Sequence, residues 1–314
     1  MAGSIAVYVE TAASAYFTGV GKTRLIFWVN LAGNVFNIAL DPILIFGWWG
    51  LPALGIAGAA YATIASMMLQ AIVLVLAIER EFVPFVGSAS REEMCKILLR
   101  LLRFGMPYGF YMILNMLSFT IFVFVTGGVG AMELAVSNAC FTVNYLLIAP
   151  MEGFSMGAST LVAQAIGGGR TDLAWTAARR CTILGVGFVA FNSLMVVICS
   201  KPIISIFASQ VGESAADFHS LGFILLIMMA AWQVFDAADI IISGALKGAG
   251  DTKFVMTWML VNAFVLWLPL VAVVRAWHNT MPYLWSTMIT YVLILAIGSY
   301  IRWYRGKWRN IKLT

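Results

Sequence analysis

Apolar residues run in long blocks along this chain, and the polar positions gather between the blocks instead of alternating with them. A helix that crosses a bilayer needs about 20 mostly apolar residues. Eight blocks reach that length, at roughly 25–46, 53–78, 98–126, 133–165, 174–199, 218–246, 254–275 and 281–303. The fourth is over-long and carries Pro150, which predicts a bent or kinked helix. The opening residues lack a basic lead and contain Glu10, so they read as part of a further membrane helix and not as a cleavable signal. Short loops rich in Gly, Pro and Asn separate the blocks, with one longer polar connector from Glu79 to Lys96. The pattern predicts an all-α, polytopic membrane protein in two lobes. A partial lobe covers 1–80, a connector 81–97, a second lobe 98–303 and a basic tail 304–314.

Composition agrees. The chain is 62% hydrophobic and 11% charged, where a soluble domain carries about 25% charged residues. Its four cysteines form no CxxC pair and there are only two histidines, so neither a metal site nor a bound cofactor is expected. The net charge of +5 is explained by where the cations fall. Assigning alternate loops to opposite sides places 17 of the 19 Lys and Arg residues on one side, leaving Lys201 and Arg275 opposite. The positive-inside rule makes the first side cytoplasmic, with the C-terminus inside a multi-pass, inner-membrane protein. No nucleic-acid partner is needed to account for the charge. The tail from Arg302 to Lys312 reads as a topology and head-group anchor.

A loop pattern recurs. Gly19-Val20-Gly21-Lys22-Thr23-Arg24 matches Gly248-Ala249-Gly250-Asp251-Thr252-Lys253, about 229 residues later. Each copy continues into an apolar helix, a Pro-containing turn and another helix, the two-halved plan common in secondary transporters. About 150 residues lead from the connector to the second copy and only 18 precede the first. The expectation is that roughly 130 residues, three helices and part of a fourth, are missing before Met1.

Acids inside apolar blocks need a reason, because an ionised carboxylate at the helix centre costs about 2.5–3.5 kcal/mol on insertion scales. Asp236 stands 11 residues before Lys247, or about 16 Å along a helix, near mid-membrane. There it reads as a coupling-ion acid that alternates between protonated and ionised forms, or as a member of a structural hydrogen-bond network. Asp239, one turn nearer the basic loop, leans to the structural reading. Asn37 and Asp41 share a helix face four residues apart and suit a proton or Na⁺, although Asp41 also precedes Pro42 near the helix end. Thr63 offers a hydroxyl from the next helix, or belongs to a small-residue packing face. Glu152 follows Pro150 in the expected bend. Asn115 and Asn144 line a cavity or hydrogen-bond between helices. The glycine loops are not phosphate-binding Walker motifs, and no Ser/His/Asp set or HExxH occurs, so no enzyme is indicated.

With these residues laid out, the chain resembles the multidrug and toxin extrusion (MATE) family. The likeness is carried by Arg103 to Pro107, Ser159 to Arg170, Phe235 to Lys253 and Leu51 to Ala60. It implies a MATE-like bundle of twelve helices in two lobes, of which this chain would be a partial fourth helix to the twelfth, truncated at its N-terminus. It also implies export of organic cations against H⁺ or Na⁺. Under it Asp236 matches the acidic position of the tenth helix, and Asn37 with Asp41 the Asn-x-x-x-Asp of the fifth helix in proton-coupled members. Many members carry glutamate where this chain has Asn115, and the first-helix aspartate is absent here, so H⁺ is favoured over Na⁺. The expected function is a cation-coupled antiporter exporting cationic or amphipathic small molecules by alternating access, a monomer among membrane lipid. The alternatives are a flippase of a lipid-linked saccharide, which would need a more cationic cavity, and a non-transporting truncated membrane fragment.

Overall fold

The computed structural model of the chain describes residues 2–50, 52–82, 90–208 and 215–311. Each predicted apolar block is a helix, and eight helices among the described residues are long and apolar enough to span a bilayer. In chain order they are α1 (Ala2–Val20), α2 (Thr23–Phe46), α3 (Ile56–Phe82), α4 (Arg91–Gly127), α5 (Ala131–Gly167), α6 (Thr171–Ile198), α7 (Ser200–Ala208), α8 (Ala215–Gly248), α9 (Thr252–Leu260), α10 (Leu268–Trp277) and α11 (Met281–Tyr304). The span set is all of these except α1 and α7, with α9 and α10 forming one span. α5 is helical straight through Pro150. The short α7 lies outside the predicted blocks.

Residues 83–89, the middle of the expected connector, lie outside the described residues. Its flanks are helical, because Ser90 and Glu93 form a capping box that starts α4 at Arg91. The Ser90 amide donates to Glu93 Oε2 at 2.8 Å and the Glu93 amide to Ser90 Oγ at 3.2 Å. Lys96 then pairs with Glu92 at 3.0 Å on the exposed face.

Contacts divide the chain into two units, Met1–Ile97 and Leu98–Thr314. In the first, α3 packs against both α1 and α2 around a small core of Ala13, Phe17, Val29 and Leu74. In the second, α8 is held by α5, α6 and α11. Its larger core, rich in aromatics such as Phe141, Trp232, Trp267 and Trp285, lies toward one end of the bundle. A second core of Ala158, Ala174, Ile241, Leu246, Trp303 and Trp308 lies toward the other, where Lys247 and the tail are found. α4 joins this unit through ring contacts, Phe119 to Phe141 at 4.9 Å and Phe122 to Trp267 at 5.2 Å between centroids.

Both copies of the glycine loop adopt one backbone form. Gly21 and Gly250 sit at φ of 85° and 82°, a left-handed conformation that a side chain disfavours. The Gly amide bonds a carbonyl three residues back and the next amide one five back, as in Lys22 to Phe17 at 2.8 Å and Asp251 to Leu246 at 2.9 Å. A third copy, Gly167 to Thr171, was not anticipated. Gly169 has φ of 71° and Arg170 donates to the Ala165 carbonyl at 2.8 Å.

Two further local features depart from the block pattern. Between α9 and α10, Val261–Trp267 winds as a π-helix. Pro269 follows in the first turn of α10 and removes one backbone donor there, a recognised cause of local rewinding. The tail folds back onto the helices. Gly306 turns the chain back at φ of 65°, and Trp308 is fully buried, stacked on Trp303 at 4.4 Å.

Candidate cation-coupling site

The acids of α8 are placed by close packing of two parallel helices. A Cβ added at Gly244 would come within 2.6 Å of the Ser155 carbonyl oxygen, and one at Gly248 within 2.2 Å of the Ser159 carbonyl oxygen. This is small-residue packing, with Gly244 and Gly248 four apart facing Ser155 and Ser159 four apart. Ser155 Oγ locks the register by donating to the Ile240 carbonyl at 2.8 Å. No bulkier residue fits either glycine without moving the α5 backbone.

The polar residues of α8 consequently fall between the two apolar cores. Asp239, 6% exposed, accepts a hydrogen bond from Ser299 Oγ of α11 at 2.6 Å and a long one from Ser243 Oγ at 3.4 Å. The two hydroxyls also touch each other at 3.3 Å. Asp236 lies one turn away, half-buried, and among the described residues no side chain donates to it. Its charge interacts with those of Asp239 and Glu152. Three carboxyl groups thus share one neighbourhood of α5 and α8. The cation facing them is Lys247, whose Nζ lies 4.9 Å from the Tyr108 ring centroid and 5.4 Å from that of Tyr111, within electrostatic reach of Glu152 and Asp239. Such cation–ring contacts hold a lysine without neutralising it.

A polar layer continues away from Lys247. Asn144 Oδ1 of α5 accepts from Gln233 Nε2 of α8, and Gln233 Oε1 is buried without a partner among the described residues. On the far side Asn262, fully buried in the π-segment, donates to the Tyr291 carbonyl at 2.9 Å. The Tyr291 hydroxyl itself is buried and, among the described residues, unpartnered. Chemically this is a layer of carboxyl, hydroxyl and amide groups beside one acid to which no described side chain donates.

Of the remaining expected site residues, Glu152 joins this neighbourhood from an exposed position and the others are elsewhere. Asn115 is exposed on α4 and engages through its backbone carbonyl, which accepts from Ser118 Oγ at 2.9 Å. Glu152 is exposed, though within charge range of Asp236 and Lys247. Thr63 is exposed on α3 and donates to the Ala59 carbonyl of its own helix at 2.9 Å. Asn37 and Asp41 are half-buried on α2, in the other unit, and Asn37 Nδ2 is buried without a partner among the described residues. Ser243, Ser299, Gln233, Tyr291 and Asn262 escaped sequence reasoning. Ser243 carried a signal, standing four residues after Asp239 on the same helix face. Ser299 carried none, being 60 residues away in sequence.

Comparison with known proteins places the chain in a family. The MatE family model matches residues 107–273, more than half the chain and the whole of α5 to α9. The chain belongs to the MatE family. The stretches from Ser159 and Phe235 that suggested multidrug and toxin extrusion proteins lie inside this match. Among curated relatives, the uncharacterized transporter YisQ of Bacillus subtilis is 26% identical over 300 residues, covering 94% of this chain and 64% of YisQ. The probable multidrug resistance protein NorM of Thermotoga maritima is 26% identical over 319 residues, covering 99% of this chain and 66% of NorM. The chain therefore spans about two thirds of the length of the curated relatives it matches. Among solved structures, a point mutant of the Vibrio cholerae MATE transporter VcmN superposes with a TM-score of 0.85 at 16% identity, covering 99% of this chain and 68% of VcmN, which shows the shared fold. The MatE match includes Asp236, Asp239, Asn144, Glu152 and Asn115, and leaves out Asn37, Asp41, Thr63 and Ser299.

Proposed function

We propose that this chain serves as a cation-coupled antiporter that exports cationic or amphipathic small molecules by alternating access, with Asp236 as the coupling acid and H⁺ as the coupling ion. One observation carries the reading. Of two acids a turn apart on α8, Asp239 is held by hydroxyls from two helices and Asp236 is left free among like charges. A carboxylate beside two others gains most from neutralisation, so loading Asp236 with a proton changes the balance of forces on α5, α8 and Lys247. Asp239 is a positioning residue that keeps α8 and α11 in register through Ser299. Asn37 and Asp41 form a second protonation site on α2. Membership of the MatE family and the names of its curated relatives support the reading. In it the basic ends of the helices and the C-terminus face the cytoplasm, and the monomer is the transporting unit.

The test is efflux of a fluorescent cationic dye from cells that lack their own drug pumps and express the gene in its natural reading frame. The expected outcome is extrusion that collapses with a protonophore and persists without Na⁺, and that falls to the empty-vector level in Asp236→Asn. Unchanged efflux in that variant removes Asp236 from the coupling role. No efflux from the wild type overturns the transport reading, and loss on Na⁺ removal reassigns the ion.

A further inference from the structure

A cavity of about 670 Å³ opens at the Lys247 end of the second unit, away from the acid cluster. Its wall combines Arg103 of α4, Thr252, Lys253 and Phe254 of α9, Arg302 of α11 and Ile311 of the tail. Three cations therefore face one carboxylate, Asp251, and that carboxylate is already closed. Arg302 Nε donates to Asp251 Oδ2 at 2.7 Å and Arg302 Nη2 to Oδ1 at 3.2 Å. Arg103 and Lys253 have no carboxylate partner among the described residues.

Asp251 occupies the N-cap position of α9, and its side chain makes no capping bond to the helix because Arg302 holds it. The first amides of α9 have no intrahelical acceptor and carry the positive end of the helix dipole. Beside them the Thr252 hydroxyl is an independent sign of a ligand. Thr252 is 8% exposed, its Oγ1 is buried without a partner among the described residues, and it lines the cavity. Buried hydroxyls are almost always bonded, so this one is set toward a group that enters the cavity. Helix amides, a threonine hydroxyl and two unpaired cations are a donor set for a tetrahedral oxyanion, with Arg302 adding positive charge from behind its bond to Asp251. Phe254 and Ile311 add an apolar side to the same space.

We propose that this cavity binds a phosphate group, received by Thr252, the amides of α9, Arg103 and Lys253. The sequence had offered the Gly-x-Gly-x-Thr loop as a phosphate binder and failed it only against the Walker pattern. The fold brings Arg103 of α4 beside the loop's own Lys253 instead. A lipid head group and a soluble phosphate share this chemistry, and Phe254 with Ile311 would meet the glycerol backbone of the former.

The experiment is native mass spectrometry of the full chain in detergent, titrated separately with dioleoylphosphatidylglycerol and with inorganic phosphate. Variants are Arg103→Ala with Lys253→Ala, Thr252→Val, and Lys201→Ala as a cation outside the cavity. A gel-filtration profile like wild type establishes that each is folded. The expected result is saturable binding of one probe, weakened about tenfold by the double variant, less by Thr252→Val, and unchanged by Lys201→Ala. Saturation by the lipid alone identifies a head-group site, and saturation by inorganic phosphate identifies a soluble ligand. No saturable binding of either probe overturns the proposal. So does equal binding by the wild type and the double variant.

Discussion

Two helices of this molecule carry paired polar residues in apolar surroundings, and they solve the problem differently. In α8, 44% of the most apolar stretch is buried, three neighbouring helices pack against it, and Asp239 is held by the hydroxyls of Ser299 from α11 and Ser243 from α8 itself. In α2 only 6% of that stretch is buried, and Asn37 keeps a buried amide without a partner among the described residues. The same side-chain types thus sit in a rigid socket in one unit and on a largely uncovered helix in the other. Charge in an apolar block marks a place of interest in both. Only the packing around it tells a structural acid from a free one.

The contrast can be tested at the glycine loops, where the largest effect is expected. Gly19 and Gly248 are equivalent in the repeat, but a Cβ at Gly19 meets nothing within 4 Å and one at Gly248 meets the Ser159 backbone. Gly248→Leu should destabilise the second unit by about 3 kcal/mol or more, and Gly19→Leu should leave the melting profile in detergent within about 0.5 kcal/mol of wild type. Similar losses at both would erase the difference between the units. Next in size, Asp239→Leu strands the Ser243 and Ser299 hydroxyls and should cost about 1–3 kcal/mol by the same melting assay. Asp41→Leu, with no such bonds to lose among the described residues, should fall within about 0.5 kcal/mol. The smallest of the expected losses belongs to the capping box, where Ser90→Ala should cost about 1 kcal/mol of α4 stability, above the two near-silent controls. Hydrogen exchange confined to the first turn of α4 reads it directly.

The eight spans were legible because bilayer thickness imposes a length on apolar runs, and that signal is local. Asp236 was legible for the same reason, as a charge where the run should be unbroken. What gave Asp239 its role was not. Ser299 meets it across 60 residues, and no periodicity along the chain links α8 to α11. Lys247 was read as one more loop cation because its position in sequence says nothing of the Tyr108 and Tyr111 rings over which it folds back. The tail reads as an anchor by composition, and nothing in that composition signals that Gly306 and the burial of Trp308 also make it part of a core. Local chemistry marks candidates, and pairings between distant helices decide among them.

The π-segment has a consequence for the geometry of its whole span. Val255, Met259, Ala263, Trp267 and Val271 are all buried, at a strict spacing of four. In an α-helix each step of four overshoots a full turn by about 40°, so over the four steps the stripe would swing by about 160° and face away from the core. The wider winding of Val261–Trp267 absorbs that surplus and resets the phase midway. One face of the span then stays toward the same neighbours from end to end. The irregular turn acts as a vernier that brings a four-residue sequence rhythm into step with a bundle built on 3.6.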